Sequence, residues 1–412
     1  LAPAPWDRRR QLLMIGIKGY ELPKTALPPI NLVFLVDTSG SMYSPDKLPL
    51  LKKAFAQLVP QLRRQDRVSI VSYAGRAGLV LKPTPGDRHG EILAALEALQ
   101  AGGSTNGGQG IELAYALARQ SFIAGGANRV ILATDGDFNV GIVDRGALET
   151  FVGDQRKSGI ALSTLGFGSG NYNDAMAERL ADAGDGNHAY IDTLQEARKV
   201  LVREMGSSLF TIARDVKIQV EFNPARVSEY RLIGYENRVL ADEDFANDKV
   251  DAGDIGPGHE VTALYEITPV GSGAEQLPPL RYGRPAQVPA SHADEVAEVR
   301  LRYKLPEQQS SERFDSPVLA GQLRATPGDA LAFAAAVAGF ADALRGGARM
   351  PGWGWTQIAA TARAARGDDA DGERAEFLRL VEAAQALVEP PRPAGAAPAP
   401  AIPAVLPQED DL

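Results

Sequence analysis

The sequence predicts an α/β fold, a doubly wound and mostly parallel sheet, joined to an all-β module and a C-terminal helical segment. Three observations carry that prediction. From Ile30 to about Phe210, short apolar runs alternate with stretches of helical period, which is the pattern of a parallel sheet covered by helices. After Phe210, β-like runs follow one another with only Asp/Gly/Pro turns between them. From Thr326 onward the pattern is helical to Val388.

Taken in order, Gln11-Leu12-Leu13-Met14-Ile15-Gly16-Ile17 reads as a strand, and the Pro-punctuated stretch Glu21–Pro29 reads as a linker. The first and last elements of a compact unit often end near one another, so within residues 1–29 the strand Gln11–Lys18 is expected to pair with the later β module. Residues 30–210 form the α/β domain, with strands at Asn31–Val36, Arg67–Tyr73, Arg129–Ala133, Ile160–Phe167 and His188–Ile191. Its first helix places Leu48, Leu51, Phe55, Leu58, Val59 and Leu62 in one stripe against the sheet, with Lys52, Lys53 and Arg63 toward water. Residues 211–325 make the β-rich module, with strands at Asp215–Phe222, Ser228–Tyr235, Glu260–Thr268 and Glu298–Tyr303. In the helical segment, residues 326–389, Thr326 is expected to cap a helix with Pro327 at its first position and Asp329 near its positive end. Residues 390–412 are mainly Pro and Ala before the acidic Glu409-Asp410-Asp411, and are expected to be a disordered extension.

Composition narrows the chemistry. The chain has 412 residues, 43 Lys+Arg against 52 Asp+Glu, and a formal charge of -9, which disfavours nucleic acid as a partner. It has no cysteine, so disulfides, thiolate zinc sites and Cys nucleophiles are excluded within it. Apolar runs such as Asn31–Val36 are far shorter than the ~18 residues a membrane helix needs. The sequence begins at Leu1 rather than Met and so reads as a processed or excerpted product, in which any targeting segment or lipid anchor would lie upstream.

The informative words are Val33-Phe34-Leu35-Val36-Asp37-Thr38-Ser39-Gly40-Ser41-Met42, a buried strand that delivers Asp-x-Ser-x-Ser into a loop where the sheet ends. Open α/β sheets bind ligands at the carboxyl ends of their strands. Two more oxygen-bearing loops belong to that sector: Gly102-Gly103-Ser104-Thr105-Asn106 before a helix, and Ala133-Thr134-Asp135-Gly136 at a strand end. Carboxylates mixed with neutral hydroxyls suit a hard divalent cation, Mg²⁺ above all, with one position left for a partner's carboxylate.

These residues resemble the metal-ion-dependent adhesion site of von Willebrand factor type A domains, over roughly Asn31–Ser208. The resemblance implies Ser39, Ser41 and Thr105 as hydroxyl ligands, with Asp37 and Asp135 as the acidic pair, bound directly or through water. It implies Mg²⁺, with Mn²⁺ or Ca²⁺ as alternatives, and a protein partner contributing Asp or Glu. The phrases GIKGYE, VFLVDTSGSM, ATDGDFNVG, GYENR and DAGDIGPGH are similar to bacterial von Willebrand A-domain proteins with a C-terminal domain of unknown function. Many of those are lipoproteins, which implies an exported protein of the cell envelope, although a cytoplasmic chain would read the same. The expected role is non-enzymatic adhesion or scaffolding, with specificity from loops such as Met42–Lys47 and Asp137–Asp144.

Two other readings compete. Haloacid-dehalogenase-type phosphatases also place a nucleophilic Asp after a strand, here Asp37, with a later acidic Mg²⁺ loop. That family needs a second Asp two positions on, where this chain has Ser39. His89, His188, His259 and His292 are scattered, without H-E-x-x-H spacing, and no G-x-S-x-G elbow is present. In the other reading the metal is purely structural and the β module, with Trp353 and Trp355, makes the contacts. Those tryptophans more often seat a helix, and Asp368-Asp369-Ala370-Asp371 reads as a solvated helix start.

Overall fold

The computed structural model describes residues 1–23, 25–103, 107–136, 145–169, 174–235, 240–248, 250, 252–278, 289–306 and 308–388. The expected extension at 390–412, Thr105 and the Asp137–Asp144 loop lie outside the described residues. Two N-terminal strands, β1 (Ala2–Pro3) and β2 (Gln11–Lys18), precede the α/β domain. That domain contains β3 (Ile30–Asp37), α1 (Leu48–Leu58), β4 (Arg67–Tyr73), β5 (Ala77–Pro85), α2 (His89–Glu97) and α3 (Gly107–Gln120). It continues through β6 (Ala127–Thr134), α4 (Arg145–Arg156), β7 (Ile160–Phe167), α5 (Asp174–Ala183), β8 (His188–Ile191), α6 (Leu194–Arg198) and α7 (Met205–Leu209). A π-helical turn, Lys199–Arg203, lies between α6 and α7.

The six strands are ordered β5-β4-β3-β6-β7-β8, parallel throughout except for the antiparallel β4–β5 pair. All eight residues of β3 are buried because both sheet faces are covered. Successive side chains point to opposite faces: Leu32, Phe34 and Val36 join the core that contains α1, while Val33 and Leu35 join the one that contains Tyr115 of α3. Phe34 stacks on Phe55 of α1 with ring centroids 4.2 Å apart, and Leu48, Leu51, Leu58, Val59 and Leu62 complete the stripe. Two of the three cations placed in water are partnered instead. Lys52 donates to the Glu97 carbonyl, and Arg63 to Asp66 and to the Leu27 and Pro28 carbonyls, since long stems cover apolar surface while their heads find oxygen.

The second region holds β9 (Ala213–Phe222), β10 (Val227–Ile233), α8 (Asp242–Phe245), β11 (Gly253–Ile255), β12 (Glu260–Pro269), β13 (Glu295–Lys304) and β14 (Glu312–Leu319). They form two antiparallel sheets, β1-β2-β12-β10 and β11-β9-β13-β14. The strand β2 lies beside β12, in register from Gln11 opposite Ile267 to Lys18 opposite Glu260.

Three helices, α9 (Asp329–Leu344), α10 (Trp355–Ala364) and α11 (Glu373–Val388), close over the first of these sheets, where Leu12 and Leu264 meet Ala335, Trp355 and Ile358. The cap of α9 is Gly328, not Thr326, because the residue before a proline is driven toward extended backbone and the helix begins after it. Trp353 and Trp355 are buried, and Trp353 packs on Trp6 with centroids 5.3 Å apart, so they seat the helices and offer no external platform. Asp369 accepts from the N–H groups of Arg374 and Ala375 at the start of α11, as a helix-start carboxylate does. Among the described residues no helix is long and apolar enough to cross a membrane.

Candidate functional site

Three parallel strands end together. The last residue of β3, Asp37, lies opposite Tyr73, the last of β4, and β6 ends at Thr134 just before Asp135. Past Asp37 the chain turns through Thr38–Tyr43, and this turn is stapled to its neighbours by backbone. Thr38 N–H donates to the Tyr73 carbonyl (2.9 Å), Gly102 N–H to the Thr38 carbonyl (2.8 Å), and Gly40 N–H to the Gly103 carbonyl (3.1 Å). The second oxygen-bearing loop is thereby fixed against the first as far as Gly103.

Asp37 is fully buried. Its Oδ1 accepts from Ser39 N–H (2.9 Å), and its Oδ2 from the hydroxyls of Tyr73 (3.3 Å) and Thr134 (3.2 Å). Burial pushes its carboxyl up to about 6; the Ser39 hydrogen bonds oppose that shift and the nearby Asp135 charge adds to it. The hydroxyls of Ser39 and Ser41 are 2.9 Å apart, the former buried and the latter open to solvent. Asp135 is also buried, and its Oδ2 meets the ammonium of Lys47 at 2.9 Å. Beside Ser41 runs an open groove of about 510 Å³, lined by Met42, Tyr43, Leu48, Pro49, Lys52 and Lys53 among others, with Tyr43 82% exposed.

Of the five residues picked out by sequence, Asp37, Ser39, Ser41 and Asp135 gather at one pole of the sheet, and Thr105 is outside the described residues. The donors are hard oxygens, half of them neutral, with two buried carboxylates of which only Asp135 meets an ammonium, a set that fits a divalent cation. Among the described residues no three His, Cys, Asp or Glu side chains gather as a metal site. Asp37 is poorly placed as a phosphatase nucleophile: it is sealed from solvent and both oxygens are engaged. Sequence reasoning assigned no role at the site to three residues that contact its carboxylates. Tyr73 was signalled only by ending a strand beside Asp37, whereas Thr134 lay within the oxygen-bearing loop Ala133–Gly136 and Lys47 closed the Met42–Lys47 loop, neither with a contact to a pocket carboxylate foreseen.

Residues 31–203 match the von Willebrand factor type A domain family, and residues 207–387 match the family described as uncharacterized protein YfbK, C-terminal. The uncharacterized protein YfbK of Escherichia coli K12 is 48% identical over 390 residues, which cover 94% of this chain and 67% of that protein. Among solved structures, a von Willebrand factor type A protein from Catenulispora acidiphila aligns at 14% identity over 90% of this chain and 89% of its own, with a TM-score of 0.42. The ArnB paralog VWA2 from Sulfolobus acidocaldarius aligns at 15% identity over 91% and 98%, with a TM-score of 0.39.

Proposed function

Since this chain belongs to the YfbK family, in which a von Willebrand factor type A domain is joined to the YfbK C-terminal domain, we propose that it is a non-enzymatic adhesion or scaffolding protein that captures a partner's carboxylate through a divalent cation. A von Willebrand A domain by itself supports a protein-interaction or scaffold role. The single observation behind the metal-dependent form of that role is the convergence of the Ser39 and Ser41 hydroxyls with the Asp37 and Asp135 carboxylates where three strands end.

In this reading Ser39 and Ser41 hold the ion, Thr105 supplies a third hydroxyl, and Asp37 and Asp135 bind it directly or through water. The ion, Mg²⁺ or alternatively Mn²⁺ or Ca²⁺, supplies an unfilled coordination position for an Asp or Glu. Neutral hydroxyls leave much of its charge uncancelled, which is what attracts an acidic group from outside. Asp37 orients the loop through the Ser39 amide, and exposed Ser41 and Tyr43 mark the side from which a partner arrives. The groove along α1 gives that partner a surface to be selected by. An envelope location belongs to the same proposal and is checked by fractionating cells that express the full-length protein.

Calorimetric titration of Mg²⁺ into chelator-treated protein, with acetate present as a surrogate carboxylate, tests the pocket. One ion is expected for the intact chain and none for the Asp37→Ala/Ser39→Ala variant. Equal heats from both, or none from either, would remove the metal from the reading. Partner capture that survives chelation would favour the purely structural role.

A further inference from the structure

The residue beside the pocket that neither the fold nor the proposed binding reaction requires is Lys47. It stands at the N-cap of α1, where Ser, Asp, Asn or Thr is favoured and where a positive charge opposes the helix dipole. Its side chain caps nothing, and its backbone (φ -118°, ψ -111°) is irregular. Asp46, the natural capping type one residue earlier, is diverted to the loop after β7, accepting from the Ser169 N–H (3.0 Å) and hydroxyl (3.3 Å).

The same loop is shaped around the lysine. A Cβ at Gly168 would lie 2.4 Å from Cε and 2.5 Å from Cγ of Lys47, and Gly168 holds φ +83°, so a side chain there would be strained and would push the lysine stem from its present path. The Tyr190 hydroxyl donates to the Gly168 carbonyl (2.7 Å) and fixes the loop from the far side. The stem is thus guided across Gly168, and its ammonium ends on the buried Asp135 carboxylate at 2.9 Å. The lysine side chain is still 18% exposed, so it has a way out into solvent. A residue that breaks a local helix rule, runs across a glycine in the left-handed region and ends on a pocket carboxylate marks a built contact.

We propose that Lys47 is a tethered cation for the oxygen pocket, neutralising Asp135 when no divalent ion is bound and released from it when one enters. This rests on the metal-site reading above and deepens it by naming what the ion must displace. Uptake then becomes an exchange of one cation for another. The buried carboxylate is never left unpaired, and the apparent affinity for the ion is lowered by the fraction of time the ammonium holds Asp135. Binding of the ion also frees the Lys47 side chain, while Asp46 still ties the segment to Ser169.

The test uses the full chain, chelator-treated, titrated with Mg²⁺ alone and with Mg²⁺ plus acetate, beside Lys47→Met and Lys47→Gln. If the ammonium holds Asp135 nine-tenths of the time, both variants bind Mg²⁺ about 10-fold more tightly than the parent. Their melting temperatures in EDTA fall below the parent's, and the rise on adding Mg²⁺ is larger. Asp46→Ala, which loosens the anchor and keeps the ammonium, shifts affinity in the same direction by a smaller factor. It serves as the folded control should either Lys47 variant fail to fold. Equal Mg²⁺ affinity in parent and variants, or weaker binding by the variants, overturns the tethered cation and leaves the metal site standing. No Mg²⁺ binding by any protein, with or without acetate, overturns both.

Discussion

Asp37→Asn is expected to stabilise the metal-free protein at neutral pH while abolishing its response to Mg²⁺. The folded Asp37 carboxyl lies at about 6 against 3.8 for the ordinary group, chiefly because it is buried. The folded state therefore binds this proton more tightly than the unfolded state does. Stability from this group is highest below about pH 4 and is lost as pH rises toward 6, since the unfolded chain ionises first. About two pK units at 1.36 kcal/mol each make the ionised side chain a burden of ~3 kcal/mol at pH 7.5, when no cation is present. An Asn of the same shape still accepts from Ser39 N–H through its carbonyl oxygen and carries no charge to desolvate. For a domain of this size, ~3 kcal/mol is worth ~6–10 °C in Tm. The assay is thermal melting in EDTA at pH 4.5 and pH 7.5, for parent and variant. The variant should melt several degrees higher at pH 7.5, and at pH 4.5 only about a third of that difference should remain. Asp254 is also raised to about 6 by burial, so only the difference between the two proteins reports Asp37. A difference that is the same at both pH values would refute the electrostatic argument. So would Mg²⁺ raising the Tm of the Asn variant as much as that of the parent.

Three further outcomes follow from packing and pairing. Gly339→Val places a Cβ 2.3 Å from Cζ3 of the buried Trp353, and should cost ~2 kcal/mol or more in urea unfolding, with a shift in tryptophan fluorescence. Asp66→Ala removes the buried carboxylate that accepts from Ile30 N–H (3.1 Å) and from the Arg63 amide and guanidinium. A loss of ~3–5 kcal/mol is expected, with faster proteolysis near residues 21–29. Arg203→Ala breaks exposed pairs with Asp371 and Glu373, and should change stability by no more than ~1 kcal/mol, less still in high salt.

The parts of this fold that sequence exposes are those where one periodicity decides the outcome. The stripe Leu48, Leu51, Phe55, Leu58 has no other place to go than onto Leu32, Phe34 and Val36, and β3 is apolar on both faces because helices cover both. The strand β5 escaped because it is an edge: Ala77–Pro85 carries Lys82 and two prolines, a composition tolerated only where one side of the strand is unpaired. At the site, Asp37, Ser39, Ser41 and Asp135 were legible because short oxygen-bearing words followed strands that had to be parallel. Lys47 was not, since its meaning lies in a contact across 88 positions with Asp135 and in a channel beside Gly168. Neither leaves a trace in local pattern except as a helix start with the wrong residue.

The topology also fixes which pole of the α/β domain is free. Both connections to the rest of the chain leave at the amino ends of the parallel strands. At the first, Ala127 N–H donates to the Pro29 carbonyl, and Arg63 grips the Leu27 and Pro28 carbonyls just before Ile30 opens β3. At the second, Asn187, just ahead of β8, donates through Nδ2 to the Ser208 carbonyl at the end of the domain (3.4 Å). The pocket lies at the other end of β3, whose eight residues at ~3.3 Å each hold it ~23 Å from those crossings. A ligand seated at Ser41 therefore meets neither connection. The first connection also leads straight into β2, which is zipped to β12 in the sheet that α9 to α11 cover. A pull on the pocket is shared between two covalent attachments at one pole, which enter different antiparallel sheets of the second region, the first through β2 and the second through β9. The proposed capture of a partner at Ser41 would use the pole that both attachments leave clear.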